Sequence, residues 1–308
     1  MSKVDVVIVN WNAGPQLREC VESIFAHEHE VLGSVIVVDN ASVDGSATFC
    51  RTDDRVVLVE PERNLGFGTA CNRGAAAGSA DYLLFLNPDT QLLHSTLANV
   101  VDHLRGRGRA AGAVGVKLIG SDGHVSRHCA RLPSAWTFLT LSLGLSKILP
   151  RWFKPVELVE FDHVHTANVP HVMGAFYLMP RAVFEAVGGF DERFFVFYED
   201  LDLSLRIAQA GKSVVYFAEE EIFHRTGGTG SGASAKALSY LLESRLIYAR
   251  KHFGAVGWVI IAFSVFIIEP VRRTVHALLR CAPRLAREAW MAERRLFAMV
   301  RGRAVDRR

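Results

Sequence analysis

Four short apolar runs, each closing on polar side chains, limit what this chain can fold into more than any other feature. They are VDVVIV (4–9), running into Asn10 and Asn12; SVIVVDN (34–40), ending on Asp39 and Asn40; VVLVE (56–60), leading to Asn64; and DYLLFLNPD (81–89), ending on Asn87 and Asp89. Runs this short and this rich in Val, Ile and Leu read as strands of a parallel sheet buried on both faces. Between them the period changes. Leu17, Cys20, Val21 and Ile24 recur at i, i+3, i+4 and i+7, which predicts a helix over 16–26, and a second helix is expected around 70–77. Strand, helix, strand, helix in this order indicates an α/β domain, whose ligands sit at the carboxyl ends of the strands.

Residues 110–235 are less regular. They hold HVMGAFYLMP (171–180), a helix-like RAVFEAVGGF (181–190), a strand at SVVYFA (213–218) and GGTGSGASA (227–235), flexible by composition. A helix is expected over 236–253. The apolar run at 255–268 has 14 residues. As a helix it reaches roughly 21 Å, short of a hydrocarbon core of roughly 30 Å, so it fits an interfacial or re-entrant helix better than a span. A buried soluble helix stays open as the other reading. Residues 271–308 carry eleven Arg against Glu288, Glu293 and Asp306, so a net charge of +3 divides into a tail of +8 and a weakly acidic body. That division argues against nucleic acid and for a local anionic partner, and the tail resembles a basic amphipathic helix at a membrane surface.

The five cysteines are scattered without a CxxC pair, which points to neither a zinc site nor a disulfide framework. The N-terminal apolar run is too short for a signal peptide, so the chain is expected to face the cytosol.

The candidate chemistry lies at the strand ends. Pro88 removes a backbone donor and presents Asp89, flanked by Asn87, at a terminus where a carboxylate can hold a hard divalent cation. An Asx-turn is the plainer alternative. Asp39 can accept from a nucleobase or ribose, or simply cap a turn. Gly66 and Gly68 in RNLGFGTACNRG (63–74) allow close backbone approach, but Cys71 stands where a dinucleotide fingerprint needs Gly. His224 and Arg225 precede a Gly-rich loop and could meet a diphosphate or a metal. FFVFYEDLDLSLR (194–206) drives five apolar residues into Glu199, Asp200 and Asp202. With a helix from near Asp200, Asp202 pairs with Arg206 at i, i+4, and Leu201, Leu205 and Ala208 form its apolar line. Glu199 and Asp200 then either cap the helix or project into a cleft, where Asp200 can take a proton from a hydroxyl.

Taken together, VVIVNWN, VVDNASVDGS, NLGFGTACNRG, LFLNPDT, GAFYLMPRAVFEAVGGFDERFFVFYEDLDLSLR and HRTGG resemble the inverting glycosyltransferase family 2, over about residues 3–253. The nearest likeness is to rhamnosyltransferases acting on polyprenyl-diphosphate-linked N-acetylglucosamine in bacterial cell-wall assembly. The resemblance implies a GT-A fold, a Rossmann-like, mainly parallel sheet flanked by helices. Residues 1–110 would bind the nucleotide sugar, 111–235 would bind the acceptor and carry the catalytic base, and 236–308 would be a helical membrane-associating extension. It assigns Asp200 as base with Glu199 beside it, and Asp39 as the reader of the nucleobase. Asn10, Asn12, Asn64, Gly66, Asn72, Asn87, His224 and Arg225 would line the nucleotide-sugar site. Asp89, helped by His224, would hold Mg2+ or Mn2+; Asn87 replaces the first acid of the family's DxD-type motif. It further implies dTDP-rhamnose as donor, a lipid-linked sugar as acceptor and a peripheral place on the cytoplasmic face of the bacterial plasma membrane, and it leaves a homo-oligomer open. Three other readings remain at this point. A glycosyltransferase of the same family could use another nucleotide sugar and an O-antigen-type acceptor. A processive synthase would need a QxxRW motif, and the RW at 151–152 lacks its Gln. A non-catalytic nucleotide-sugar-binding protein would not need Asp200.

Overall fold

The computed structural model describes residues 2–225 and 234–301. Most of the glycine-rich stretch expected to be flexible at 227–235, and the last residues of the basic tail, lie outside them. In chain order the elements are β1 (Val4–Asn10), α1 (Gln16–His27), β2 (Leu32–Asp39), β3 (Val56–Val59), α2 (Phe67–Ala76), β4 (Tyr82–Leu86), β5 (Thr90–Leu92), α3 (Thr96–Gly106), β6 (Ala111–Ile119) and β7 (Cys129–Ala130). There follow α4 (Ala135–Ser142), α5 (Leu145–Ile148), β8 (Ala167–Val169), β9 (His171–Val172), β10 (Phe176–Pro180), α6 (Arg181–Ala186), α7 (Glu199–Gln209), β11 (Ser213–His224), α8 (Ala235–His252), α9 (Gly254–Phe263), a π-turn at Ser264–Ile268, α10 (Glu269–Leu279) and α11 (Pro283–Val300). The described residues divide into two compact units, one made of 2–131, 157–192 and 199–225, the other of 132–156, 193–198 and 234–301.

The first unit is built on a nine-stranded mixed sheet in the order β3-β2-β1-β4-β10-β6-β11-β5, with β8 also paired to β11. β3, β2, β1 and β4 are parallel to one another, as the four apolar runs predict. All seven residues of β1 are buried, because both faces of the sheet are covered. Leu17, Cys20, Val21 and Ile24 of α1 are each 0% exposed, so the predicted stripe is the one that packs. Each such aliphatic side chain contributes roughly 1.5–3 kcal/mol by leaving water. On the other face α2 lies so close to β1 that a Cβ at Gly74 would come within 2.3 Å of Val7 Cγ1. The one charge inside β1, Asp5, is fully occupied, accepting from the Ser34 and Ala80 N–H groups and from Arg181 Nη2 at 2.8–3.0 Å.

β10 runs antiparallel to both β4 and β6, as β5 and β8 do to β11. Its start therefore lies at the same rim as the end of β4, with Phe176 opposite Leu86. β11 is twice the length expected, continuing through Glu219–Glu221 to His224 with an irregularity between Phe217 and Glu221. α7 begins at Glu199, and Asp202 and Arg206 pair at 2.8 Å as predicted. Its buried line differs from the predicted one. Leu201, Leu203, Ser204 and Ile207 are buried, whereas Leu205 is partly exposed and Ala208 exposed. Leu203 and Ile207 join the apolar layer on the α2 side of the sheet, and that burial sets the helix rotation.

The second unit is helical. Phe138, Tyr248, Ile261, Val265, Ala277, Ala292 and Leu296 form its buried interior. The apolar run does not stop at Pro270. The helix continues from Gly254 to Leu279, 26 residues, and by length and composition it could cross a membrane. The π-turn stands immediately before Pro270, where the ladder loses a donor. Glu269, 1% exposed, accepts from Arg245, Arg272 and Arg273 at 2.9–3.0 Å and ties one face of this helix inward. The opposite face shows Val256, Val259, Phe263, Ile267, Val271, Val275 and Leu278 to solvent, a stripe at helical spacing. Trp136, Ile148 and Trp152, around α4 and α5, are exposed as well.

Candidate active site

The polar strand ends converge as hydrogen-bonded corners. Asn10, 0% exposed at the end of β1, brings its Nδ2 within 3.0 Å of Asp39 Oδ1, Ser42 Oγ and Ser46 Oγ, so β1 fixes the rotamer of Asp39 at the end of β2. Asn12, at a left-handed φ of 54°, accepts from the Val43 N–H and holds the same loop. Asn64 accepts from Asn40 Nδ2 and from the Gly66 N–H. Gly66 needs its missing Cβ, since its φ is 84° at the entry to α2. Asn72 is different. Both ends of its amide bond to Phe190 at 2.9 Å, and Nδ2 also reaches Glu192, so the side chain is spent on joining α2 to the 190–192 loop.

A second corner forms where β4 meets the start of β10. The Asn87 N–H donates to the Ala175 carbonyl at 3.0 Å, and one residue earlier the Gly174 N–H donates to Asp200 Oδ2 at 3.0 Å. The Asn87-Pro88-Asp89 turn and Asp200 are thus attached to adjacent residues of one segment. Asp89 lies against the end of β11: its carbonyl accepts from the Arg225 N–H, and its Oδ1 is 3.4 Å from His224 Nε2. The Arg225 guanidinium turns to Glu19 on α1, 3.2 Å away. At the start of α7, Asp200 also accepts from the Leu201 N–H at 2.8 Å.

Two adjacent acids open α7, and burial separates them. Glu199 is 6% exposed and its Oε2 has no hydrogen-bond partner. Desolvation first, and the neighbouring Asp200 second, push its carboxyl well above the usual carboxylate range, which favours its neutral form beside Asp200. The backbone delivering this pair is strained, with Phe197 at φ 70° and Tyr198 at φ 64°; left-handed, non-glycine residues cost about 1–2 kcal/mol each.

Buried histidines stand behind the corner. His171 on β9 places Nε2 3.7 Å from Asp200 Oδ2 and Nδ1 2.9 Å from Ser204 Oγ, which Tyr177 OH also meets at 2.9 Å. His128 is pushed down to about 4, by burial first and then by the histidines around it, His163, His171 and His224. None of His128, His171, Tyr177 or Ser204 is singled out by the sequence: Tyr177 and Ser204 lie within a stretch that carries the family resemblance but are not marked as functional there, and His128 and His171 lie outside it.

Among the described residues, no group of three or more His, Cys, Asp or Glu could hold a metal ion. The Asp89 carboxylate and the His224 imidazole face each other without a hydrogen bond, and His224 Nδ1 is buried and unpartnered. One oxygen and one imidazole donor fit Mg2+ or Mn2+ whose other positions go to water and phosphate oxygens. A cleft of about 990 Å³ lies between Arg18, Asp44, Phe49 and Arg55, and is lined by neither Asp89 nor Asp200.

Residues 5–188 match the family model described as Glycosyl transferase family 2. The chain belongs to glycosyl transferase family 2. Within that family it is similar to the N-acetylglucosaminyl-diphospho-decaprenol L-rhamnosyltransferase of Mycobacterium tuberculosis, 30% identical over 268 residues that cover 81% of this chain and 85% of that one. It is 29% identical to Rhamnosyltransferase WbbL of Escherichia coli over 56% of this chain and 62% of that one. Two solved family-like folds support the GT-A architecture. The mannosyltransferase PcManGT of Pyrobaculum calidifontis, in complex with GDP-Man and Mn2+, superposes with a TM-score of 0.56 at 19% identity, over 99% of this chain and 76% of that one. GalNAc-T7 with UDP, GalNAc and Mn2+ gives 0.55 at 16% identity, and this chain spans half of its length. The family 2 chain is therefore a glycosyltransferase with a GT-A fold, as the sequence resemblance implies.

Proposed function

We propose that this glycosyltransferase moves L-rhamnose from dTDP-rhamnose, with inversion, to a polyprenyl-diphosphate-linked GlcNAc acceptor in cell-wall linker or polysaccharide assembly. The reading rests on one observation above others, the corner in which Asn87 and Asp200 hang from adjacent residues 175 and 174. An acid for the departing diphosphate and an acid for the incoming hydroxyl are what a single displacement requires. The sugar and the lipid-linked acceptor are those in the name of the Mycobacterium tuberculosis relative, which this chain matches over most of its length; dTDP-rhamnose is the donor that the sequence resemblance implies.

In this reading residues 1–110 hold the donor. Asp39, fixed by Asn10, accepts from the nucleobase, and Asn12, Asn64 and Gly66 shape the loops around it. Asn72 acts indirectly, through the loop it fixes. Residues 111–235 bring the acceptor to Asp200. The acceptor oxygen attacks the anomeric carbon, its proton passes to Asp200, and the bond to the nucleoside diphosphate breaks on the opposite face. Glu199, whose buried carboxyl is pushed toward its neutral form, stands beside the base. Asp89 and His224, with Asn87 alongside, would hold Mg2+ or Mn2+, which supplies charge neutralisation at the diphosphate. Arg225 offers a cation at the same end of β11. Residues 236–308 associate with the cytoplasmic face of the plasma membrane as a peripheral anchor. The exposed apolar stripe from Val256 to Leu278 and the exposed Arg280, Arg284, Arg287 and Arg294 support this.

The test is an assay with dTDP-rhamnose and GlcNAc-diphospho-polyprenol in the presence of Mn2+, read by mass spectrometry of the lipid. A mass gain of one deoxyhexose is expected. Transfer from a different nucleotide sugar, and none from dTDP-rhamnose, overturns the sugar assignment.

A further inference from the structure

The described residues around the base contain a buried polar chain that the reaction outlined above leaves unused. Tyr177 is 1% exposed, Ser204 0% and His171 6%, and they come from three elements, β10, α7 and β9. Three polar side chains in series could be replaced by packed apolar ones at little loss, so their direction is informative. Burial holds His171 below the ordinary histidine range despite the nearby Asp200, so its ring is neutral and carries one N–H. Two arrangements are open to that ring. With the hydrogen on Nδ1, His171 donates to Ser204, and either the Ser204 or the Tyr177 hydroxyl hydrogen is left without an acceptor in the chain. The bare Nε2 lone pair would then face a carboxylate oxygen 3.7 Å away. With the hydrogen on Nε2, both hydroxyl hydrogens are used: Tyr177 donates to Ser204, Ser204 donates to Nδ1, and Nε2–H points at Asp200. The first arrangement loses the full desolvation of a buried hydroxyl hydrogen and adds a repulsive contact. The second is therefore the one the chain adopts.

We propose that His171, its tautomer fixed by Ser204 and Tyr177, is a positioning residue that holds the Asp200 carboxylate in the orientation needed to receive the acceptor proton. At 3.7 Å the contact is an oriented dipole rather than a hydrogen bond, and it acts on the same oxygen that the Gly174 N–H holds at 3.0 Å. The two grips come from one segment, residues 171–174, so that segment sets where Oδ2 lies. The Leu201 N–H holds the other oxygen. The titratable groups facing this centre are Glu199 on α7, Cys71 on α2 and Tyr177 on β10, with His128 near His171 and Arg206 near Tyr177. This inference rests on Asp200 being the base.

The experiment compares His171→Phe, His171→Gln and Ser204→Ala with Asp200→Asn in the full chain, measuring kcat, donor KM and the pH profile of kcat. His171→Phe keeps volume but removes the N–H. It should lower kcat about 10- to 100-fold, the scale expected when a reacting group is held out of place, with donor KM unchanged. Losing a donor to the carboxylate should also move the acid limb of the profile to higher pH. His171→Gln, which can present an N–H at the same distance along the side chain, should recover most of the loss. Ser204→Ala, which frees the tautomer without emptying the site, should shift the limb in the same direction and serves if His171→Phe does not fold. A folded His171→Phe within twofold of the parent kcat, or a loss without any shift of the limb and without rescue by Gln, overturns the proposal. If Asp200→Asn itself keeps full turnover, the assignment of the base fails instead, and the two failures are told apart.

Discussion

Glu269→Gln gives the sharpest test of how the second unit is held together. Glu269 is 1% exposed and accepts from three arginines, of which Arg245 is 2% exposed and Arg272 and Arg273 are partly exposed. Burial alone would raise the Glu269 carboxyl, but Arg245, then Arg273 and Arg272, outweigh it and hold the group below the usual range. Removing the charge leaves the two outer arginines to water, for at most about 1 kcal/mol each. Arg245 cannot escape in this way. Its remaining partners are neutral groups such as Ser142 Oγ, at 3.2 Å, and the Phe138 ring, 5.3 Å from its Cζ. An uncompensated buried cation costs about 3–5 kcal/mol, so this one term dominates. Domains have about 5–15 kcal/mol in total, so the loss should be visible as a large drop in urea midpoint. Arg245→Met on its own leaves Glu269 with two arginines and should cost less. The double variant should lose clearly less than the sum of the two, because no orphaned charge remains. Trp136, Trp152, Trp258 and Trp290 all lie in this unit, so tryptophan fluorescence reports mainly on it. A depressed carboxyl contributes stability above its unfolded value of 4.5, and that contribution disappears as pH falls through the folded value. A loss under about 1 kcal/mol for Glu269→Gln, or strict additivity in the double variant, would show that the cluster is solvated and refute this reasoning.

Four further outcomes are expected. Asp200→Asn should lose turnover by about 10²–10⁴-fold while still binding donor, as checked by calorimetric titration of the nucleotide sugar; retained turnover would favour a binding role. Chelation of divalent cations should stop transfer and Mn2+ restore it, and Asp89→Asn should raise the Mn2+ concentration needed by about 10- to 100-fold in a metal titration. Burial pushes the Glu28 carboxyl from 4.5 up to about 7, although it caps α3 by accepting from the Thr96 and Leu97 N–H groups. The folded chain then binds more protons between those values, so stability should fall as pH rises from about 4.5 to about 7, and Glu28→Gln should flatten that slope in thermal melts. Reversing Arg280, Arg284, Arg287 and Arg294 to Glu should weaken sedimentation with anionic vesicles by about 1 kcal/mol per charge and leave neutral vesicles unaffected.

The parallel half of the sheet is legible because its strands are continuous Val, Ile and Leu runs and its first helix has an unbroken stripe. β6, the central strand of the other half, is not. Its sequence, AGAVGVKLI, reads as a turn-rich stretch because of Gly112 and Gly115. Those glycines are demanded by neighbours, not by backbone freedom. A Cβ at Gly112 would lie 2.4 Å from the Ser213 carbonyl oxygen, and one at Gly115 would lie 2.8 Å from Val172. Contacts with strands roughly 60 and 100 residues away leave no local signal. The same holds at the site. Asp39, Asp89 and Asp200 stand out as acids at element ends, whereas the burial of Glu199 and the commitment of Asn72 to residue 190 depend on partners that only tertiary structure supplies. In the second unit, Pro270 reads as a stop, and the π-turn that absorbs it has no sequence mark.

The reversed strand β10 has a genetic consequence. Its rung joining residues 86 and 176 brings the Asn87-Pro88-Asp89 turn and the 174–176 segment together across roughly ninety positions of chain. Residues 132–156 take part in neither this rung nor the β7–β9 pair that carries the 171–174 segment, so exchanges there should spare both.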